Sequence, residues 1–313
     1  VTRAWKLPAE NQEDVSSSYY HSVNWKKKTV FADLGVKEEY QQVMKEIATA
    51  DMLIMNFKAG DEAKFGFEAA QLREQFPSLI IGRIHGFGPD STRTAFDAVL
   101  QAESGFMSMN GVPGGPSLKM PVALIDVISA HQLKEAMLIG LWKRERTGEG
   151  CIADVSLYTS AVVSLMNQSS SYLNTGFVAG KQGSLHPNIA PYGETFLCSD
   201  EKEILLAIGS DQQFGKLVSL LGLNTLATDD RFCTNTARVE NRTVLAGLLA
   251  KVLADNTSRE WLEQFHHNQI PAAAIRTIDE VFLQPENKNL ILEQEEPNHK
   301  ISRRCTTIAF NLT

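Results

Sequence analysis

Between residues 29 and 157, short apolar runs alternate with segments of helical period, and that alternation leaves few folds open to the chain. Thr29–Ala32, Asp51–Asn56, Ser78–Ile84, Val122–Ile125 and Ile152–Leu157 read as strands. Lys37–Thr49, Asp61–Gln75 and Ile128–Arg146 carry the period of helices. Strands joined through helices pair in parallel, because a parallel connection needs a crossover of a dozen or more residues. A mainly parallel α/β sheet follows. Ligands of such sheets bind at the carboxyl ends of the strands. Asp33, Asn56, His85 and Asp126 fall at those ends in this reading.

Asp126 stands out among them. It follows the run Val122-Ala-Leu-Ile125 and precedes a helix with Ile128, Leu133, Met137, Ile139 and Leu141 on an expected apolar face. Lys143, Arg144 and Arg146 supply a cationic last turn before Gly148 and Gly150. A carboxylate between strand and helix lies near free N–H groups, which keep it ionised and favour an oxyanion beside it. The same position suits a plain helix N-cap, worth about 1 kcal/mol. Spacing alone does not separate the two roles.

Beyond Leu157, Thr159–Asn174 reads as a helix and residues 176–183 as a flexible connector. A second unit follows, with strands at Glu194–Leu197 and Ile204–Ile208 and a helix at Gln212–Leu221. Thr257-Ser-Arg-Glu260 is a capping box. His186 sits among turn formers and reads as structural, and His266 and His267 as surface residues. The expected domains are 1–175, to which the chain returns at about 282–313, and 183–281.

The charge and cysteine pattern narrows the function. With 313 residues and a net charge of −7, the chain lacks the basic surface of a nucleic-acid binder. Its longest basic run, Lys26-Lys27-Lys28, suits a solvated turn or a phosphate contact. Four scattered cysteines form no CxxC pair and no metal-ligand spacing, as expected of reduced thiols inside a cell. No apolar run has the roughly 20 residues of a membrane span, and the first residues lack a signal-peptide core.

Several stretches resemble the class III CoA-transferases, the CaiB/BaiF or formyl-CoA transferase-like family. They are the loop Gly111-Val-Pro-Gly-Gly-Pro116, Asp126, Arg144-Glu-Arg-Thr-Gly-Glu-Gly150 and Asp154-Val-Ser-Leu157, in the family's order. Asn24-Trp-Lys-Lys-Lys-Thr-Val-Phe-Ala-Asp-Leu34, Ala50-Asp-Met-Leu-Ile-Met-Asn-Phe-Lys-Ala-Gly60, His85-Gly-Phe-Gly88, Phe96-Asp97 and Gln101-Ala102 continue the likeness. So do the H-P, A-P-Y, D-x-R-F, N-R, E-W and I-P words of the second half. The resemblance implies an α/β fold: a Rossmann-like, mainly parallel large domain that binds CoA, a smaller α+β domain, and an interlocked homodimer. Full members carry another strand–helix unit ahead of this start and more chain beyond residue 313, so the chain reads as a shortened or divergent member.

The same resemblance implies the chemistry. Asp126 would be the nucleophile that moves CoA from an acyl-CoA to a carboxylic acid through covalent aspartyl intermediates. Asn56, Phe57, Lys58 and Lys64 would hold the CoA nucleotide, with the turn Ala32, Asp33, Leu34 and Gly35 as a weaker contact. Thr94 stands where some members place a CoA-binding lysine. Coenzyme A is then a substrate, no metal is implied, and neither nucleic acid nor membrane is an expected partner. The Q-Q-F and T-N-x-x-R words lean toward short dicarboxylates such as succinate. The compartment would be the cytoplasm, or the mitochondrial matrix in a eukaryote.

Two other functions are compatible with these words. An α-methylacyl-CoA racemase shares the fold but uses a histidine where this chain has Phe96, which cannot carry a proton. Its glutamate corresponds in place to Asp211. A catalytically silent CoA-binding or scaffold homologue would also keep an aspartate at 126.

Overall fold

The computed structural model describes residues 2–296 and 299–312. In chain order the chain forms α1 (Ser18–His21), α2 (Lys37–Thr49), β1 (Met52–Met55), α3 (Asp61–Phe65), α4 (Ala69–Gln75) and β2 (Ile80–His85). Then come α5 (Asp97–Glu103), α6 (Phe106–Met109), α7 (Leu124–Thr147), β3 (Ile152–Ser156), α8 (Leu157–Val163) and α9 (Met166–Thr175). The remainder is β4 (Tyr192–Leu197), β5 (Glu203–Ala207), α10 (Asp211–Leu220), α11 (Asn235–Glu240), α12 (Arg242–Leu253), α13 (Ser258–His267), β6 (Ala272–Ala274), α14 (Ile278–Phe282), β7 (Ile291–Glu295) and β8 (Ile301–Cys305).

Two compact units share the chain, one of residues 32–195 and 206–249, the other of residues 1–31, 196–205 and 250–313. The former holds the parallel sheet, in the order β1-β2-β3. Leu53 pairs with Ile81, and Arg83 with Asp154, both in parallel register. One face of the sheet meets α7. Leu133 and Met137 pack on Ile80 and Ala153 there. A Cβ on Gly82 would lie 2.7 Å from Met137 Sδ and 2.9 Å from Leu133 Cδ1, so a larger residue there would push these side chains aside. The other face packs Met55 and Ile81 against Ile47 of α2 and Leu72 of α4. The sheet is thus covered on both sides, as parallel sheets require.

In the other unit, α13 begins with the expected capping box between Thr257 and Glu260. Trp261 donates its indole N–H to Leu253 O at 2.9 Å. β7 and β8 form an antiparallel hairpin. The N-terminal segment lies on it through Lys26 N–H to Gln294 Oε1 (3.1 Å) and His21 to Glu296 (3.3 Å). Arg304 is buried and stacks its guanidinium over Trp25 at 4.9 Å. A further sheet has the order β4-β5-β6.

Five sequence expectations change. Thr29–Ala32 is not a strand: Val30 and Phe31 are exposed, and among the described residues no strand pairs with them. Asp61–Gln75 is two helices, parted where Gly66 takes φ 71°, a left-handed conformation open to glycine. Thr159–Asn174 is broken likewise into α8 and α9. Val122–Ile125 is not a strand but the entry to α7, which begins at Leu124. A four-residue apolar run does not distinguish a buried strand from a buried helix turn. The buried ridge of α7 is Ile125, Ser129, Leu133, Met137 and Gly140, while Ile139, assigned to that face from sequence, is exposed.

Candidate active site

Asp126 is the third residue of α7, in its first turn, and Ala123 is the N-cap without a side-chain hydrogen bond. Capping is done from outside the helix. Asp97, the first residue of α5, accepts the Ile125 N–H on Oδ1 at 2.8 Å. Its Oδ2 accepts from Gln101 Nε2 at 2.6 Å, one turn further along α5. Asp97 therefore satisfies an orphan amide of α7 and sits at the positive end of its dipole. Among the described residues, no hydrogen bond or ion pair engages the Asp126 carboxyl. Of the two roles open to Asp126 in the sequence, the cap belongs to Asp97.

Residue 126 presents an open surface to solvent, yet its carboxyl lies close enough to protein for desolvation to matter. That desolvation, followed by repulsion from the Asp97 charge, raises its pKa above the ordinary aspartate value. The sequence reading expected a carboxylate held ionised by helix amides. The shift runs the other way: burial and the Asp97 charge raise the pKa, and the Ile125 amide is bonded to Asp97 instead.

The glycine loop before Asp126 is tied to the segment that reads as a flexible connector in the sequence. Lys181 Nζ donates to Gly115 O at 2.6 Å, and Gly183 N–H to Gly111 O at 2.8 Å. Asn110 closes the base of the loop through Leu118 O at 2.8 Å.

The residues expected to hold a nucleotide fall partly together. Leu34, Asn56 and Phe57 line one groove of about 600 Å³ along α2 and the β1 edge, with Val43, Ile47 and Phe67. Asn56 Nδ2 donates to Ile84 O at 2.7 Å, which fixes the loop after β1 to the end of β2. Phe57 packs on Phe65 and Phe67 with centroids 6.3 and 5.7 Å apart. Lys64 Nζ lies 4.8 Å from the Phe65 ring. Ala32, Asp33 and Gly35 form the turn leading to Leu34, where Asp33 Oδ1 accepts the Gly35 N–H at 2.8 Å. Lys58 is exposed beside Phe57. Asp126 does not line this groove.

Of the four residues expected at strand ends, Asn56 and His85 are there. Asp33 and Asp126 are not, since among the described residues no strand leads directly into either. His85 is buried and meets Asp154 Oδ1 at 3.1 Å. Arg83 binds both oxygens of Asp154, at 2.6 and 2.9 Å, and reaches Glu62 at 3.0 Å. Burial works against the Asp154 charge, but the Arg83 and His85 hydrogen bonds outweigh it and hold its pKa below the ordinary value. Asp211 is likewise committed: its Oδ1 accepts from Arg238 NH2 at 2.6 Å.

Asp97 and Gln101 had no role assigned from sequence. Their i, i+4 spacing on a short helix was the available signal, because it places both side chains on one face.

The chain matches CoA-transferase family III over residues 1–312. It is 34% identical over 291 residues to a succinate–glutarate CoA-transferase of Agrobacterium fabrum, covering 91% of this chain and 72% of that protein. It is 29% identical over 301 residues to the human succinyl-CoA:glutarate CoA-transferase, covering 95% of this chain and 68% of that one. A CaiB/BaiF family protein from Brucella suis superposes with a TM-score of 0.82 at 34% identity, over 99% of this chain and 82% of the other. A family match across the chain, together with one and the same fold, leaves no doubt of kinship: this protein belongs to CoA-transferase family III.

Proposed function

We propose that the protein transfers CoA between an acyl-CoA and a free carboxylate with Asp126 as covalent nucleophile. One observation carries the assignment: Asp126 stands at a helix N-terminus with no hydrogen-bond partner among the described residues, while Asp97 takes the capping role. The Asp126 carboxylate attacks the thioester carbonyl, the C–S bond breaks, and CoA leaves as thiolate, giving an aspartyl mixed anhydride. The thiolate then attacks the aspartyl carbonyl and expels the donor acid, giving an aspartyl–CoA thioester. The acceptor carboxylate displaces the thiolate to form a second anhydride. Attack of the thiolate on the acceptor's acyl carbon releases the new acyl-CoA and restores Asp126. Each step conserves an activated acyl bond, so no external energy source is needed.

The donors and acceptors are short dicarboxylates in this reading, which the names of the two curated relatives support. The groove formed by Leu34, Asn56 and Phe57 would take the CoA nucleotide, with Lys58, Lys64 and the Ala32–Gly35 turn at its margin. Incubation with succinyl-CoA, followed by peptide mass spectrometry, is the direct test. A CoA adduct on the Asp126 peptide is expected. A protein that binds succinyl-CoA but forms no adduct would instead be a silent homologue.

Two further outcomes follow. Lys64→Ala should weaken CoA binding at low salt, with the difference shrinking as ionic strength rises, because a lysine contact to phosphate is a screened point charge. An unchanged Kd at low salt removes Lys64 from the site. The protein should also be an interlocked homodimer that persists on dilution. Exposed Val162, Val163, Met166 and Leu173 of α8 and α9 form an apolar surface suited to a second chain. Sedimentation at nanomolar concentration checks this, and a folded, active monomer would refute it.

A further inference from the structure

The segment from Met120 to Ile125 delivers Asp126, yet it has no strand partner. Its internal backbone bond, Leu124 N–H to Val122 O at 2.8 Å, is short-range and does not locate it in the molecule. What locates it is Gln101, a residue with no exposed surface. The Gln101 side chain accepts the Met120 N–H on Oε1 at 2.7 Å. Its Nε2 donates to Asp97 Oδ2 at 2.6 Å and faces the carbonyls of Met120 and Val122 at 3.5 and 3.4 Å. Asp97 in turn holds the Ile125 N–H at the far end of the segment. Two side chains one turn apart on α5 thus grip both ends of the six-residue approach. Leu100, between them in sequence, is buried against Ile125 and Ala161, which seats α5 on the start of α7 and on α8.

A buried amide that uses both its acceptor and its donor on neighbouring groups fixes them in one arrangement, because any other leaves a polar atom unsatisfied. We propose that Gln101 is a positioning residue for the reaction: through Met120 and Asp97 it sets where the Asp126 carboxylate stands relative to the thioester. The proposal rests on Asp126 being the nucleophile. Gln101 touches no reacting atom, and its effect passes through the backbone and through Asp97. Nucleophilic attack is steeply sensitive to such placement, a shift of about 1 Å costing on the order of a hundredfold.

The test uses Gln101→Met, similar in length but without hydrogen bonds, and Gln101→Glu, which keeps an acceptor for the Met120 N–H but loses the amide donor to Asp97. Single-turnover formation of the Asp126 adduct from succinyl-CoA is followed beside steady-state kcat and KM. For Gln101→Met, adduct formation and kcat should fall together by about 10- to 100-fold, with KM for the acyl-CoA within about twofold. For Gln101→Glu the fall should be smaller and in the same direction. A merely structural role would lower the melting temperature and leave the adduct rate of the folded protein unchanged. A wild-type adduct rate in folded Gln101→Met, or in Gln101→Glu where the Met variant does not fold, overturns the proposal. So does a KM rise at unchanged kcat. Asp126→Asn separates this from the parent reading. If that variant still forms the adduct, the nucleophile assignment fails. If it forms none while the Gln101 variants react normally, only the positioning role fails.

Discussion

Asp126→Asn is expected to lower kcat by at least about a thousandfold, the scale seen when a covalent nucleophile is removed, while the fold stays intact. The amide keeps the size of the side chain and loses only the charge and nucleophilicity. Among the described residues no hydrogen bond or ion pair depends on that charge, and Asp97 caps the helix. Stability should move the other way from activity. Burial and the Asp97 charge raise the Asp126 pKa in the folded chain. The folded state therefore binds the proton more tightly than the unfolded one, and this contribution is complete below the unfolded pKa of about 3.9. It is lost as pH rises through the folded value. At neutral pH the ionised carboxylate thus opposes folding slightly. Asp126→Asn should melt at a somewhat higher temperature than wild type at pH 7, and the difference should close below pH ~4. Activity within a few fold of wild type would end the nucleophile assignment. A lower melting temperature at pH 7 would contradict the electrostatic account of the site.

Arg238→Met should be the most destabilising single change among those considered, at about 2–5 kcal/mol, because it leaves two buried carbonyls without their donor. Arg238 is fully buried in α11. Its Nε donates to Ala190 O at 2.8 Å, NH1 to Phe232 O at 3.0 Å and NH2 to Asp211 Oδ1 at 2.6 Å, and its guanidinium lies 4.4 Å from the Phe214 ring centroid. One side chain thus joins the loop before β4, the loop before α11 and the start of α10. Methionine fills the space but leaves the carbonyls it served without donors. Asp211→Asn should cost far less, on the order of 1 kcal/mol, because the Asp211 side chain is 64% exposed and an amide oxygen still accepts from Arg238. Urea titration measures both, the midpoint falling with an unchanged slope. A loss below 1 kcal/mol for Arg238→Met would mean that water or another donor replaces the guanidinium.

Much of the large-unit architecture was legible from residue order. α2 spans Lys37–Thr49 as its period implied, and β1, β2 and β3 lie within a residue or two of their apolar runs. These elements are long or strongly patterned, and Ile47, Met55, Ile80 and Ile81 within them are buried. Two of the errors share a cause. Thr29–Ala32 and Val122–Ile125 are four-residue runs whose composition suits a strand, but a strand exists only where a neighbour completes its hydrogen bonds. Sequence spacing does not report whether that neighbour is there. Hydrophobicity puts Ile139 on the core face of α7, whereas the buried ridge follows residues three or four apart and includes Ser129 and Gly140.

By itself the sequence determined the family, the parallel α/β character and the identity of the aspartate worth testing. Those rest on local order: apolar period, glycine and proline placement, and a run of words that few other chains carry. Tertiary structure alone decided what surrounds that aspartate. Asp97 and Asp126 are 29 positions apart in the chain, yet a backbone amide at Ile125 brings the former against the start of α7. That contact takes the cap away from Asp126 and leaves it, among the described residues, a carboxylate without a hydrogen-bond partner. Gln101 and Met120 are likewise joined only by folding. Pattern along a chain records which face of an element is apolar. Which polar group claims a given amide depends on distances that exist only once the elements have packed.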